Sequence, residues 1–221
     1  MRRSSERPRG ASLIEFLIGV VGVLLPLVLA ILQIALLTVT RQQLNLATQL
    51  AARAAAVDHG SLSTVRTELA RGLTPLFGDK RSMSQAGAVL PVVTAQALAL
   101  AEVLRPDLTH VDVLNPTRES FQDFELLRDG VRAIPNGPFE PPTRVGAASG
   151  QTLQDANTLS LRVTYCARLI VPLVDRLIPA LLAVRVRDPR DLACYAARRL
   201  PMTARAMITM HSAPRRQALG L

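Results

Sequence analysis

Side chains that could do chemistry are sparse in this sequence. It has three histidines, His59, His110 and His211, and none lies in a metal-ligand spacing such as HExxH. His110 and Asp112 alternate on one face of a predicted strand, which a surface pair explains better than a proton-transfer site. The histidines therefore predict neither a metal centre nor a catalytic base.

The carboxylates form one local cluster, made of Glu119, Asp123, Glu125 and Asp129. Arginines lie among these acids, as is typical of a solvated helix face. The sequence has no GxSxG nucleophile elbow, no GK[ST] phosphate loop and no GxGxxG fingerprint. We therefore expect no catalytic residue, no bound metal and no cofactor.

The charge and composition favour a membrane protein over a nucleic-acid binder. The formal charge is +9, but the arginines are scattered, whereas phosphate binding needs them clustered. Aromatic residues make up only 3% of the chain, so few side chains are available to stack on bases. Hydrophobic residues nevertheless reach 49%, and this aliphatic content favours helices and lipid-facing surfaces.

An uncharged run of 24 residues extends from Phe16 to Val39. About 20 such residues span a bilayer as a helix, whereas the apolar region of a signal peptide has about 7–15. Pro26 lies inside the run and predicts a kink. The residues before the run include Arg2, Arg3, Arg7 and Arg9. This excess of positive charge before the apolar run predicts a single-pass inner-membrane protein with a cytoplasmic N-terminus. Its residues from about Thr40 onward would be exported to the periplasm or beyond.

A short junction connects the basic leader to the apolar run. The leader ends in Gly10, Ala11 follows it, and the lone acid Glu15 precedes Phe16. A carboxylate at the edge of the hydrocarbon costs about a few kcal/mol unless it is paired. Cleavage after Gly10 would create an amine on Ala11 one helical turn from Glu15, so the two charges could pair within one chain or between chains. An acid resting at the headgroup level is the alternative.

The junction MRRSSERPRG/ASLIEF resembles those of type IV pilins and pseudopilins. More closely, RGASLIEF, LLPLVLAILQ, RQQLNLATQLAARAAA and LPMTARAMITM resemble the TadE-like family of tight-adherence (Flp) pilus assembly proteins. The resemblance covers Arg9 to Ala56 and returns at Leu200 to Met210. It implies a minor pseudopilin, cut between Gly10 and Ala11 by a prepilin peptidase, that acts with other pilins or pseudopilins in assembly. Glu15 and Phe16 would be its assembly residues.

One departure from the family pattern lies late in the membrane segment. Members of the family often carry an acid followed by an aromatic residue there, whereas this chain has Gln33 and Ile34. The departure leaves the resemblance in place, and it leaves the subfamily and the pilus system open.

The chain has two cysteines, Cys166 and Cys194, and both lie on the exported side of the predicted topology. In an oxidising compartment, two cysteines in one small domain are more often paired than free. A disulfide would join a predicted strand to the segment that precedes the last predicted strand. Two buried thiols acting as small apolar side chains are the alternative.

The apolar periodicity of the first helix continues beyond the membrane run, and Gly60 is a plausible stop. The periodic positions are Leu44, Ala47, Leu50, Ala51, Ala54 and Ala55. Alanines allow another helix backbone to approach closely. Either a helix of a partner chain or the protein's own domain would fit this stripe.

Further periodicities predict helices at about 63–72 and 91–104, strands at 108–114 and 159–169, and a weaker strand at 204–210. A stretch rich in proline and glycine at 129–150 predicts a long loop. The predicted fold is α+β, with a long N-terminal transmembrane helix packed on a small antiparallel sheet, as in pilins. The expected parts are a cleaved leader at 1–10, an extended helix at 11–59 and an extracytoplasmic domain at 60–221.

The sequence leaves a second class of function open. A membrane-anchored periplasmic binding or scaffold protein, or an anchored enzyme without a recognisable motif, would use the first helix only as an anchor. Such a protein would keep residues 1–10, whereas a pseudopilin would lose them.

Overall fold

A computed structural model describes residues 11–78, 89–128, 130–137, 144–172, 174–184 and 186–221 of the chain. A helical column begins at Ala11 and ends at Val57, and an α+β domain follows it. The column consists of α1 (Ala11–Gly19), a π-helical turn (Val20–Leu24) and α2 (Leu25–Val57). Gly10 and the rest of the predicted leader lie outside the described residues.

The helical column continues through Pro26. A proline has no N–H to donate, and its ring clashes with the carbonyl four residues earlier, here that of Gly22. The π-helical turn at Val20–Leu24 lies at this point, and a widened turn is one of the known ways in which a helix relieves such a conflict. The irregularity expected at Pro26 therefore takes the form of a widened turn within one helix.

The column ends at a corner, after which α3 (Leu62–Leu73) folds back along α2. Gly60 has a φ of +81° and donates its N–H to the Ala55 carbonyl, which is typical of a helix end at glycine. At the far end of α3, a Cβ added to Gly72 would lie 2.6 Å from the Cβ of Ala47. The two helices therefore approach backbone to backbone at this point.

The remaining helices are α4 (Val89–Val103), α5 (Arg118–Phe124), α6 (Leu153–Ala156), α7 (Val174–Ala183) and α8 (Pro189–Ala196). The main sheet contains β1 (Thr109–Asn115), β4 (Thr158–Arg168) and β5 (Arg199–Thr209). Its order is β1-β4-β5, with both pairs antiparallel. A separate hairpin consists of β2 (Leu126–Arg128) and β3 (Val131–Ala133).

The core lies between the C-terminal half of α2 and one face of the main sheet. Alternate residues of β4 are buried, among them Leu159, Leu161 and Val163, as the period of two in a strand requires. From β5, Ala204 and Ala206 are buried in the same core, and Met202 and Ile208 pack against it partly buried. Small side chains on both α2 and β5 bring the helix close to the sheet.

The last described residues cover the corner between α2 and α3. The Leu62 N–H donates to the Ala218 carbonyl at 2.9 Å, and the Ser212 N–H donates to the Ala56 carbonyl at 3.0 Å. Leu219 is 1% exposed and packs directly against Gly60, where an added Cβ would meet the leucine side chain at 2.8 Å. The end of the chain is therefore part of the core.

These elements confirm the α+β prediction and the long helix packed on a small antiparallel sheet. The helices predicted at 63–72 and 91–104 are present, and the weak strand prediction at 204–210 corresponds to an eleven-residue strand. The loop prediction at 129–150 is incomplete, because β3 occupies Val131–Ala133. Apart from Leu50, which is exposed, the alanine stripe packs against the protein's own α3 and sheet, so the own-domain alternative applies to it.

Candidate functional site

The first half of the helical column exposes apolar side chains. No described side chain between Leu13 and Leu32 is buried, and a core helix of a soluble protein would bury most of them. The most exposed are Phe16, Val23, Ile18 and Leu13, at 71%, 69%, 67% and 63%. Among the described residues, the helix Leu13–Val57 is the one that is long and apolar enough to span a membrane. The described residues therefore contain the single long apolar helix that the sequence predicts.

The residues of the predicted junction lie at the start of this helix. Ala11 is the first residue of α1, and Glu15 and Phe16 follow within its first two turns. Both Glu15 and Phe16 are exposed, so neither contributes to the core of the domain. Gly10 lies outside the described residues, and the cleavage site stays a prediction.

A buried glutamine marks the point where the helix meets the domain. Gln33 is 0% exposed, although its neighbours Leu32 and Ile34 are exposed. Its side-chain Oε1 accepts hydrogen bonds from the Val171 N–H at 2.9 Å and the Ile170 N–H at 3.2 Å. These two amides follow the end of β4 and have left its ladder, so Gln33 supplies their acceptor, and the buried Val171 amide would otherwise have no partner.

A buried carboxylate joins α4 to the sheet. Glu102 is 5% exposed and accepts hydrogen bonds from Arg199, from Arg168 and from the Tyr165 hydroxyl at 3.0 Å. Burial raises the pKa of Glu102, but the hydrogen bonds and charges of the two arginines outweigh this effect and hold the pKa below its ordinary value. Burial and the nearby carboxylate raise the pKa of Tyr165. The hydroxyl therefore stays protonated and serves as a donor.

The two cysteines form a disulfide, as the sequence predicts. Cys166 lies near the end of β4 and Cys194 lies on α8, with Cα atoms 5.4 Å apart. Both residues are buried beside Leu108. The Arg199 guanidinium donates to the Cys166 carbonyl at 3.1 Å, so the disulfide and the Glu102 cluster are adjacent. Together they fasten α4 and α8 to one end of the sheet.

The contacts near His110 and His59 are structural ones. The Asp112 carboxylate pairs with Arg190 at 3.3 Å, so the suggested partnership of Asp112 with His110 is not the one formed. His59 lies at the α2–α3 corner with a φ of +54°, and its ring contacts the Ala213 carbonyl at 2.9 Å. The described part of the chain contains no group of three metal-binding side chains.

The carboxylate cluster is not a uniform solvated face, and Asp123 is the exception. It accepts hydrogen bonds from the Ser149 hydroxyl and from the Ser149 and Ala148 amides, at 2.6–3.2 Å. These bonds hold the pKa of Asp123 below its ordinary value. The chain passes so close that a Cβ added to Gly146 would meet this carboxylate. Asp123 is therefore a loop anchor.

The other acids of the cluster have weaker roles. Glu119 is exposed in the first turn of α5, and Glu125 pairs with the exposed Arg132 at 3.7 Å. Asp129 lies outside the described residues. The solvated-face prediction therefore fits Glu119 best.

Sequence reasoning did not find the roles of Gln33 and Glu102. Gln33 had a signal, since it is the polar residue that interrupts an otherwise apolar run. The sequence carries almost no signal for the role of Glu102, because its partners are 63–97 residues away in the chain. Only the pairing of β4 with β5 and the packing of α4 against this end bring them together.

Comparison of the chain with protein-family models, with curated proteins and with solved structures gave no significant match.

Proposed function

We propose that the protein is a non-enzymatic minor pseudopilin-like component of a tight-adherence (Flp) pilus or a related secretion apparatus. In this proposal, prepilin peptidase cuts the chain between Gly10 and Ala11. The mature protein then stays in the inner membrane with its domain on the periplasmic side, where it joins other pilins or pseudopilins during assembly.

One observation supports this proposal above the others, namely that a single helix has two kinds of surface. From Leu13 to Leu32 the helix exposes apolar side chains to its surroundings, and from Leu44 to Ala56 it is the central helix of an α+β domain. A simple anchor would need only the first of these parts. A helix that is both anchor and core is what the resemblance to pilins implies.

The departure at position 33 is compatible with the proposal. Gln33 supplies one side-chain oxygen that accepts two backbone N–H groups. A carboxylate, which members of the family often carry in this region, is also an acceptor for such donors. The amide of Gln33 makes the same kind of hydrogen bond without placing a charge beside the bilayer.

The mature N-terminus tests the processing step. We expect the protein recovered from its own membranes to begin at Ala11, and Gly10→Lys to leave an uncut chain. Mass spectrometry of the purified protein measures both. Ser5→Lys is a matched control, because it adds the same charge within the leader but away from the junction. A native protein that retains residues 1–10 would instead support the anchored binding, scaffold or enzyme alternative.

Glu15 tests the assembly step. We expect Glu15→Val to abolish pilus or secretion output while the protein remains in the membrane, because a more apolar segment inserts at least as readily. Glu15→Asp keeps the charge and is expected to retain part of the output, and Leu17→Ala controls for a change on the same exposed helix. Full output from Glu15→Val would show that Glu15 is an interfacial residue without a role in assembly.

A further inference from the structure

A second exposed apolar surface lies in the segment 170–184, which includes α7. Ile170, Leu181 and Val184 are 70%, 71% and 87% exposed, and we call these three residues the 170–184 apolar surface. Within α7, Val174 and Pro179 are buried. The helix thus contacts the domain at its start and middle, whereas Leu181 near its end and Val184 just after it are exposed where a soluble domain would place charges.

The hydrogen bonds of Gln33 fix the height of this segment along the membrane helix. The Ile170 and Val171 amides bond directly to the Gln33 side chain, so the segment begins beside Gln33. Only apolar residues lie between Glu15 and Gln33, and they number 17, the lower end of the range of about 17–25 that spans a bilayer. Counted from Phe16, this range ends between Leu32 and Thr40, so Gln33 and the start of the segment lie at the far boundary of the hydrocarbon or within its last two helical turns.

The arginines near this surface suit the same location, among the carboxylates of Asp175 and Asp188. Arg176 on α7 and Arg187 just beyond it are both exposed. Arginine side chains at a membrane boundary keep their aliphatic stems in the apolar layer and their guanidinium groups among the lipid phosphates. An apolar face with flanking arginines is the pattern of helices that lie in the plane of the interface.

We propose that the 170–184 apolar surface rests in the headgroup and acyl boundary of the bilayer that α1 and α2 cross, as a second membrane contact. The inference depends on the membrane anchoring included in the proposed function, but not on pilus assembly. Two contacts, one crossing and one lying flat, would hold the domain at a defined tilt against the membrane surface instead of letting it rotate about the helix.

The chain contains no tryptophan, so single introduced tryptophans report depth without background. The full-length protein is reconstituted into phosphatidylcholine vesicles whose acyl chains carry bromine either near the headgroup or near the bilayer centre. Leu181→Trp and Val184→Trp test the proposed surface. Met207→Trp is the matched control, since Met207 is 75% exposed but lies on β5. Ile18→Trp reports on the anchor itself.

For Leu181→Trp and Val184→Trp we expect blue-shifted emission and loss of most of it to the shallow bromines. Met207→Trp is expected to keep water-like, unquenched emission, and Ile18→Trp to be quenched more by the deep bromines. Water-like emission from Leu181→Trp and Val184→Trp, with Ile18→Trp quenched, would overturn the second contact and leave the anchor standing. An unquenched Ile18→Trp would overturn the anchor as well.

Discussion

At the scale of single residues, the structure depends on two buried polar side chains. Gln33 and Glu102 are 0% and 5% exposed, and each one connects elements that are distant in the sequence. A buried polar group is tolerated when it is hydrogen-bonded, and removing one partner leaves the other buried without a hydrogen bond. Both residues are therefore sensitive points for mutation.

Gln33→Met tests the junction between helix and domain. Methionine has a similar volume but accepts hydrogen bonds only weakly, so the Ile170 and Val171 amides would lose their acceptor. We expect a loss of about 1–3 kcal/mol in the free energy of unfolding in detergent. Ile34→Met, at a neighbouring side chain that is 61% exposed, is expected to change it little. Equal stability of the two variants would refute the role given to Gln33.

Glu102→Gln tests the buried ion cluster. The variant leaves the guanidinium of Arg199, whose side chain is 15% exposed, facing a neutral amide. We expect a loss of about 3 kcal/mol in the free energy of unfolding, at the low end for a broken buried pair because Arg168 reaches solvent. Asp107→Asn removes the exposed pair of Arg105 and Asp107 and should cost less than about 1 kcal/mol. Chemical denaturation measures both.

The lowered pKa of Glu102 also predicts a pH dependence. A carboxyl group whose pKa is lower in the folded state stabilises the fold above its unfolded pKa, near 4.5 for a glutamate, and this contribution is lost as the pH falls through the folded value. We therefore expect stability to decrease in acid below about pH 4.5. The decrease should be smaller in Glu102→Gln, measured by denaturation at several pH values. An identical acid dependence in both proteins would show that other carboxylates cause it.

At the scale of elements, the contact between α2 and α3 depends on the absence of a side chain. A Cβ at Gly72 would lie 2.6 Å from the Ala47 Cβ and 2.7 Å from its Cα, and neither atom can move without a shift of the helix backbone. We expect Gly72→Ala to lower the free energy of unfolding by about 1–3 kcal/mol through overpacking, although alanine favours helix.

Gly137→Ala is the matched control for this helix contact. No atom lies within 4 Å of a Cβ added at Gly137, so the substitution should leave thermal unfolding nearly unchanged. A Gly72→Ala protein as stable as the control would mean that α2 and α3 can separate without cost.

The elements differ in how far the sequence could predict them. Those with a strong periodicity, such as α3 and β4, were predicted to within two residues. The hairpin of β2 and β3 was not, because three-residue strands give too short a pattern and lie beside a proline-rich stretch. Neither the anchoring of the 147–149 turn by Asp123 nor the pairing of Asp112 with Arg190 follows from spacing. Both depend on tertiary contacts.

At the scale of the whole molecule, the predicted orientation places the domain outside the cytoplasm. A reporter that is active only after export, fused after Leu221, is expected to be active. Activity of the matched cytoplasmic reporter instead would contradict both the pilin and the anchor proposals.

The disulfide provides an independent measurement, since Cys166 and Cys194 are bonded in the structure. Maleimide added to denatured but unreduced protein from native membranes should label neither cysteine.

The packing of Leu219 against Gly60 has a consequence for biosynthesis. The apolar helix is translated before β5, which covers α2, and before the residues that cover its corner. Throughout translation the alanine-rich half of α2 is therefore without its final neighbours. A ribosome that stalls or terminates before about Pro214 would release an inserted chain with an unfinished domain. In the proposed topology, such a product would be open to chaperones and quality-control proteases outside the cytoplasm.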